Sequence, residues 1–188
     1  MEQIKTYFES NFQLSEADWS IFSSKLTRYE CPKKEILLHV GETENHLSFV
    51  EKGVVRLYVP KEDGELTFAF VFQDAFVSAY DSFLTQSPSP YVVETVADTI
   101  LWRLTYQDLQ TVYKESGIGN LIGRKASEEL FLKKSQRELS LLQDSAEERY
   151  LKLFTERPEL IQHIPLKYIA SYIGITPQAL SRIRSRIS

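Results

Sequence analysis

The sequence predicts an α+β protein: an N-terminal antiparallel β-roll of the jelly-roll type, a long dimerisation helix and a C-terminal helix-turn-helix. Hydrophobic side chains alternate with a period of two between Cys31 and Leu104, where turn residues separate short β-rich runs. After Leu104 the period becomes helical, and the chain ends in two short helical stretches around Gly174. A sheet-rich first part and a helical second part therefore follow each other along the chain.

Length and composition restrict the class of protein. With 188 residues, 43% hydrophobic and 26% charged, the chain can bury a core and is neither disordered nor a membrane protein. Its apolar runs are far shorter than the ~20 residues of a spanning helix. Residues 1–5 lack the features of a signal peptide. Since the single cysteine, Cys31, cannot form an internal disulfide, we expect a reducing, cytoplasmic location.

Charge is distributed unevenly along the chain. Residues 1–159 hold 18 basic and 26 acidic residues, a net charge of −8, whereas residues 160–188 hold four basic residues and no acid. A basic tail on an acidic body indicates that only the C-terminal segment contacts a polyanion.

The N-terminal part supplies the first elements. Residues 1–30 are predicted to be helical, with Ser15 capping a second helix near Asp18. The strands that follow are predicted as three antiparallel pairs joined by turn residues. These pairs are Leu47–Glu51 with Val54–Val59 around Lys52-Gly53, Val54–Val59 with the strand from Leu66 around Asp63-Gly64, and Tyr91–Val96 with Thr99–Leu104 around Ala97-Asp98.

The helical part begins at Thr105, which can cap a short helix that ends near Ser116-Gly117. Residues 118–143 contain no proline and predict one helix of about 39 Å, long enough to pair two copies of the chain. A core helix is the alternative. The pattern Ser145-x-x-Glu148 is a capping box that starts the next helix. The predicted domains are 1–116 (β-roll with N-terminal helices), 117–144 (dimerisation helix) and 145–188 (helix-turn-helix).

The C-terminal stretch has the residues that a helix-turn-helix needs. Ala170 is small where two helices cross, Gly174 tolerates a positive φ in the turn, and Thr176-Pro177 forms a helix N-terminus. Apolar residues that can lock the two helices together are Ile169, Ile173, Ile175, Leu180 and Ile183. The second helix presents small, hydrogen-bonding or basic residues outward, namely Gln178, Ala179, Ser181, Arg182 and Ser185. Because Gln can pair with adenine and Arg with guanine in the major groove, this helix is a candidate recognition helix, with a core hairpin as the alternative.

With this motif behind a β-roll and a long helix, the chain resembles the transcription regulators of the cyclic-AMP receptor protein and fumarate–nitrate regulator (Crp/Fnr) family. The resemblance implies a cyclic-nucleotide-binding-like sensor roll, a winged helix-turn-helix on DNA, a homodimer through residues 118–143, and RNA polymerase as a candidate partner. It places the DNA contacts at Lys167, Thr176, Pro177, Gln178, Ser181, Arg182 and Ser185. The sequence ends at Ser188, so we expect the wing to be absent or truncated.

The roll departs from the family pattern where members bind cyclic nucleotide. The family's Gly-Glu pair is Ser78-Ala79 here, its Arg-Ser region is Ser87–Tyr91, and no Lys or Arg lies between Lys61 and Arg103. We therefore expect no cyclic AMP binding, although backbone N–H groups near Ser78–Tyr80, or Arg56 and Arg103, remain alternative anion donors. A neutral or apolar effector would meet a candidate pocket of Phe70, Phe72, Ser78, Ala79, Tyr80, Ser89 and Tyr91.

Other chemistry is disfavoured. His39, His46 and His163 are too scattered for a three-histidine metal site, and no nucleophile and base stand together, so we expect neither an enzyme nor a cofactor. The hypothesis is a DNA-binding transcription regulator. The alternative is a β-roll ligand-binding or interaction module whose helical tail serves assembly.

Overall fold

The computed structural model describes residues 1–62 and 64–187. The described strands are β1 (Thr27–Cys31), β2 (Ile36–Leu38), β3 (His46–Lys52), β4 (Val54–Lys61), β5 (Gly64–Phe72), β6 (Ala75–Val77), β7 (Val92–Thr95) and β8 (Thr99–Thr105). The described helices are α1 (Glu2–Asn11), α2 (Glu16–Ser23), α3 (Tyr80–Thr85), α4 (Tyr106–Glu115), α5 (Gly119–Gln143), α6 (Ala146–Glu156), α7 (Pro158–His163), α8 (Leu166–Ile173) and α9 (Pro177–Ile187).

The eight strands form two four-stranded sheets, as the prediction of a roll requires. The first sheet has the order β1-β8-β3-β6 and the second has the order β2-β7-β4-β5. All the strand pairs described in detail are antiparallel. β4 and β5 are neighbours, as predicted, while Asp63 of the predicted turn lies outside the described residues.

Two of the predicted hairpins are wrong. β3 and β4 lie in different sheets, and so do β7 and β8. The turn at Gly53, whose φ is +101°, carries the chain from the first sheet to the second, and the turn at Ala97-Asp98 carries it back. A tight turn between two β-rich runs is compatible with either pairing or a change of sheet, and the spacing alone does not distinguish them.

The helical interpretation of residues 1–30 holds only as far as α2. Thr27–Glu30 belong to β1, which pairs with β8 from Thr27 opposite Arg103 to Cys31 opposite Thr99. In the short run Thr-Arg-Tyr-Glu-Cys, successive side chains point to opposite faces, as in any strand. The strand β1 lies at the edge of the first sheet. The short strands β2 and β6 and the short helices α3 and α7 were not predicted.

Several helix ends follow the sequence signals. Ser15 accepts a hydrogen bond from the Asp18 backbone N–H, and Thr105 and Ser145 each form a complete capping box. The helix predicted at 118–143 is α5, which spans Gly119–Gln143. Gly123 lies against the Tyr113 ring, where a Cβ atom would come within 2.7 Å of the phenolic oxygen, so the close approach explains a glycine inside a helix.

The chain divides into two compact units. The first consists of residues 1–59 and 69–126, and the second of residues 60–68 and 127–188. The first unit buries an apolar cluster between the helices and the outer face of the first sheet. The buried members of this cluster are Ile4, Phe8, Phe22, Phe49, Phe83, Leu104, Leu109 and Val112.

Candidate functional site

The turn between α8 and α9 has the geometry that the sequence predicts. Gly174 adopts a left-handed conformation with a φ of +80°, and the Ile175 N–H donates to the Ala170 carbonyl at 3.0 Å. The Ala179 N–H donates to the Thr176 hydroxyl at 3.2 Å, so Thr176 caps α9. The side chains that lock the two helices together are buried, namely Ile169, Ala170, Ile173, Leu180 and Ile183.

The opposite face of α9 is exposed. At about 100° per residue, Gln178, Ser181, Arg182 and Ser185 lie within one third of the helix circumference, and all four are exposed. Ser185 donates to the Ser181 carbonyl at 3.1 Å, which keeps its side chain close to the helix. This face therefore presents one amide, two hydroxyls and one guanidinium.

The flanking groups add positive charge and a hydroxyl donor. Lys167 at the start of α8 is exposed, with its Nζ 4.6 Å from the centre of the Tyr168 ring. Thr176 and Pro177 are exposed beside the N-terminus of α9, and the Thr176 hydroxyl can still donate its own hydrogen. Arg186 pairs with Glu147 at 3.1 Å and lies toward the other end of the helix.

The buried face of α8 contacts the tip of the β4–β5 hairpin, and both belong to the second unit. The Ser171 hydroxyl donates to the Glu65 carbonyl at 2.8 Å and accepts from the Thr67 N–H at 2.7 Å. Arg137 of α5 donates from Nε to the Phe68 carbonyl at 3.2 Å, donates from Nη2 to the Tyr172 carbonyl, and stacks 3.8 Å from the Tyr172 ring centre. The hairpin tip and α5 thus fix the position of α8.

The interior of the roll holds a carboxylate that the sequence analysis missed. Glu44 is 5% exposed, and its side chain accepts from the His46 N–H at 2.9 Å and from the Ala79 N–H at 3.4 Å. Burial raises the pKa of Glu44, while these N–H groups oppose that increase. The Ala79 N–H, one of the donors predicted for a bound anion, therefore already donates to the Glu44 carboxylate.

The residues of the predicted effector pocket mostly contact each other or the core. Ser89 bonds to the backbone of Tyr91 in both directions, Tyr91 donates to Asp81, and Tyr80 stacks on Phe83. Ser78 donates to the His46 carbonyl at 2.9 Å. Phe70 and Ala79 are buried and Phe72 is half-buried. None of the seven lines either of the two cavities described below, so the effector pocket stays a prediction.

The two arginines considered as alternative anion anchors have different surroundings. Arg56 on β4 is 3% exposed and pairs with Glu94 on β7 at 2.6 Å. Arg103 on β8 stacks over the Tyr29 ring and lines a cavity of about 220 Å³. A second cavity of about 530 Å³ lies beside the N-terminus, between Met1 and Glu51.

Residues 28–116 match the family model described as cyclic nucleotide-binding domain. The similarity to cyclic nucleotide-binding domains thus extends over 89 of the 188 residues. The matched segment runs from β1 to the end of α4, and thus covers all eight strands and the Glu44 site. No curated protein matches the chain in sequence.

Solved structures with the same fold extend the likeness over most of the chain. The c-di-GMP-responsive global regulator CLP of Xanthomonas campestris has a TM-score of 0.74 and 17% identity over 92% of this chain and 91% of its own. FixK2 of Bradyrhizobium japonicum has a TM-score of 0.73 and 17% identity over 86% and 84%. A protein described as a Crp/Fnr-family transcriptional regulator from Eubacterium rectale has a TM-score of 0.72 and 20% identity over 95% and 85%. The chain has the fold of these regulators.

Three further features bear on the class of site. Within the described ranges, no cluster of three or more His, Cys, Asp or Glu side chains is arranged to hold a metal ion. Among the described helices, none has both the length and the apolar character needed to cross a bilayer. Burial raises the pKa of the Cys31 thiol to about 11, so this thiol stays protonated near neutral pH.

Proposed function

We propose that the protein is a sequence-specific DNA-binding transcription regulator that reads the major groove with α9. The observation that carries this proposal is the exposed face of α9, with Gln178 and Arg182 one turn apart and the Ser181 and Ser185 hydroxyls beside them. The buried side chains of α9 hold the helix against α8, so the reading face is presented on a rigid support. The fold shared with CLP and FixK2 supports the same function.

Selection of bound sequences from random DNA, followed by gel-shift assays at two salt concentrations, tests this proposal. Arg182→Ala should weaken binding to the preferred site by about 1–3 kcal/mol and relax the preference at one base position. Lys167→Ala should weaken binding to all DNA sequences similarly. It should also lower the slope of log affinity against log salt concentration by about one unit. Lys114→Ala, an exposed lysine of α4, is the control. An Arg182→Ala protein that folds and keeps full specific affinity would contradict the assignment of α9.

We also propose that two copies pair through α5. Phe131, Leu132, Leu139 and Leu142 of this helix are exposed and lie on one face, at about 100° per residue. Exposed apolar side chains of this size, aligned on one helix, favour a partner helix. Two-fold pairing would place two copies of α9 about 34 Å apart, one turn of DNA. RNA polymerase is a further candidate partner of such a dimer.

The domain of residues 28–116 is proposed not to bind cyclic AMP, although it resembles cyclic nucleotide-binding domains. The Ala79 N–H already donates to the Glu44 carboxylate, and Arg56 is held by Glu94. A cyclic phosphate placed there would face the Glu44 carboxylate, and the sequence between Lys61 and Arg103 contains no Lys or Arg that could pair with it. Isothermal titration should detect no binding. A dissociation constant in the low micromolar range that substitution of Ala79 or Ser89 abolishes would overturn the proposal.

The second candidate function is a β-roll interaction module whose helical tail serves assembly. The exposed apolar face of α5 favours assembly of the chain with or without DNA. Under this alternative, the Leu132 and Leu139 substitutions described in the Discussion would change assembly, while the random-DNA selection would enrich no sequence.

A further inference from the structure

The cavity beside Arg103 is lined by residues from one face of the first sheet and from the elements at its end. Thr27 on β1 lies directly opposite Arg103 on β8, and Tyr29 is two residues further along β1, so these three side chains share a face. His46 begins β3 opposite Thr105. The residues that line the cavity are Lys25, Thr27, Tyr29, His46, Arg103, Thr105 and Asp108.

The hydrogen-bond donors of this cavity outnumber its acceptors. Arg103 Nε is buried and has no hydrogen-bond partner among the described residues, and the guanidinium lies 4.9 Å from the centre of the Tyr29 ring. Lys25 and the Thr27 hydroxyl add further donors. A half-buried guanidinium without an acceptor is unfavourable, since buried donors are almost always paired.

The nearby carboxylates accept hydrogen bonds from groups other than Arg103. Asp108 accepts from the Thr105 hydroxyl at 2.6 Å in the capping box of α4. Glu35 accepts from the Tyr29 hydroxyl, and Glu44 accepts from backbone N–H groups. Among the residues that the structure describes, no carboxylate is therefore hydrogen-bonded to Arg103.

We infer that this cavity binds a small oxyanion, a carboxylate or a phosphate, through the Arg103 guanidinium with Lys25 as a second cation. The planar guanidinium matches two oxygens of such a group, and the Thr27 hydroxyl can supply a further donor. The volume of 220 Å³ is below the roughly 300 Å³ at which pockets for drug-sized ligands begin, so the occupant is smaller than a nucleotide. The site is independent of the proposed DNA contacts and of dimerisation.

The first test titrates the full chain with inorganic phosphate and, separately, with succinate, and follows the melting temperature. At ten times its dissociation constant, a bound probe should raise the melting temperature by about 3–6 °C. Arg103→Met should weaken binding at least tenfold, because it removes the guanidinium that would pair with the oxyanion. Tighter binding of phosphate or of succinate identifies the class of oxyanion, and either supports the site.

Arg28→Met is the matched control, because Arg28 is a neighbour on β1 that is exposed and pairs with Glu30 instead. If Arg103→Met does not fold, Lys25→Met tests the same cavity and should also weaken binding. If neither probe binds at about 50 mM, which is about 50-fold above a millimolar dissociation constant, the proposal is overturned. An equal loss in Arg28→Met would also overturn it, since the effect would then be general screening.

A nuclear magnetic resonance titration supplies a test without substitutions. Burial and the charge of Arg103 lower the pKa of His46, so an anion bound beside Arg103 should raise that pKa. His39 is exposed and lies outside the lining of the cavity, so its ring resonances should not respond to the probe. If both probes shift the ring resonances of His39 and His46 equally, the anion does not bind at this cavity.

Discussion

Replacing Leu132 and Leu139 with aspartate together should convert the proposed dimer to monomers. Leu132 is 61% exposed and Leu139 is 49% exposed in the single chain. Full burial of a leucine contributes ~2 kcal/mol, so covering these exposed fractions contributes about 2 kcal/mol per protomer. Two-fold symmetry doubles this to about 4 kcal/mol, which corresponds to about a 1000-fold change in the dimer dissociation constant.

Sedimentation equilibrium from nanomolar to high micromolar concentration measures this change. Lys133→Asp is the control, since Lys133 is exposed on another face of α5 and its substitution alters the net charge by the same −2 as the two leucine substitutions. The control should dimerise like the unsubstituted chain. A monomer at micromolar concentration in the unsubstituted chain, or equal dissociation constants for all three proteins, would refute the role of this face.

Two predictions concern buried polar groups. Ser171→Ala leaves the Thr67 N–H without its acceptor and should lower the free energy of unfolding by about 1–3 kcal/mol, or the melting temperature by roughly 2–10 °C. Ser181→Ala, at an exposed position, should change the melting temperature little. Equal melting temperatures for the two variants would contradict the Ser171 contacts. Because burial raises the pKa of Glu44, the unsubstituted chain should lose stability as the pH rises from the ordinary glutamate pKa through the raised value. Glu44→Gln should remove that loss in urea unfolding between pH 4.5 and 7.5, and parallel pH profiles for the two proteins would contradict it.

Local signals predicted much of the fold. Ser15, Thr105, Ser145 and Thr176 cap the helices whose starts they predicted, because a cap depends on residues within a single turn. Gly174 has the positive φ that its place between two helices requires. The apolar side chains of α8 and α9 are buried at the predicted positions because helical periodicity is also a local property.

The distribution of strands between the two sheets could not be predicted in the same way. β8 pairs with β1, some 70 residues earlier, and with β3, while its neighbour in sequence, β7, pairs with β2 and β4. Alternation identifies a strand and its two faces but contains no information about which strand lies beside it. The two predicted hairpins failed for this reason.

The surroundings of two charged residues of the roll could not be predicted from the sequence either, and they bear on function. Glu44 is unremarkable in sequence, and Arg103 is predicted only as an alternative anion donor. The fold buries the Glu44 carboxylate beside the Ala79 N–H and places Arg103 at a cavity, with no bonded acceptor for its Nε among the described residues. A bound anion is therefore unfavourable beside the Glu44 carboxylate and favourable beside the Arg103 guanidinium, because the two groups carry opposite charges. The segment between Lys61 and Arg103 thus contains no basic residue that could hold a phosphate, but this domain can still bind an anion through Arg103. Recognition of a small oxyanion would depend on Arg103, immediately after the segment that lacks basic residues.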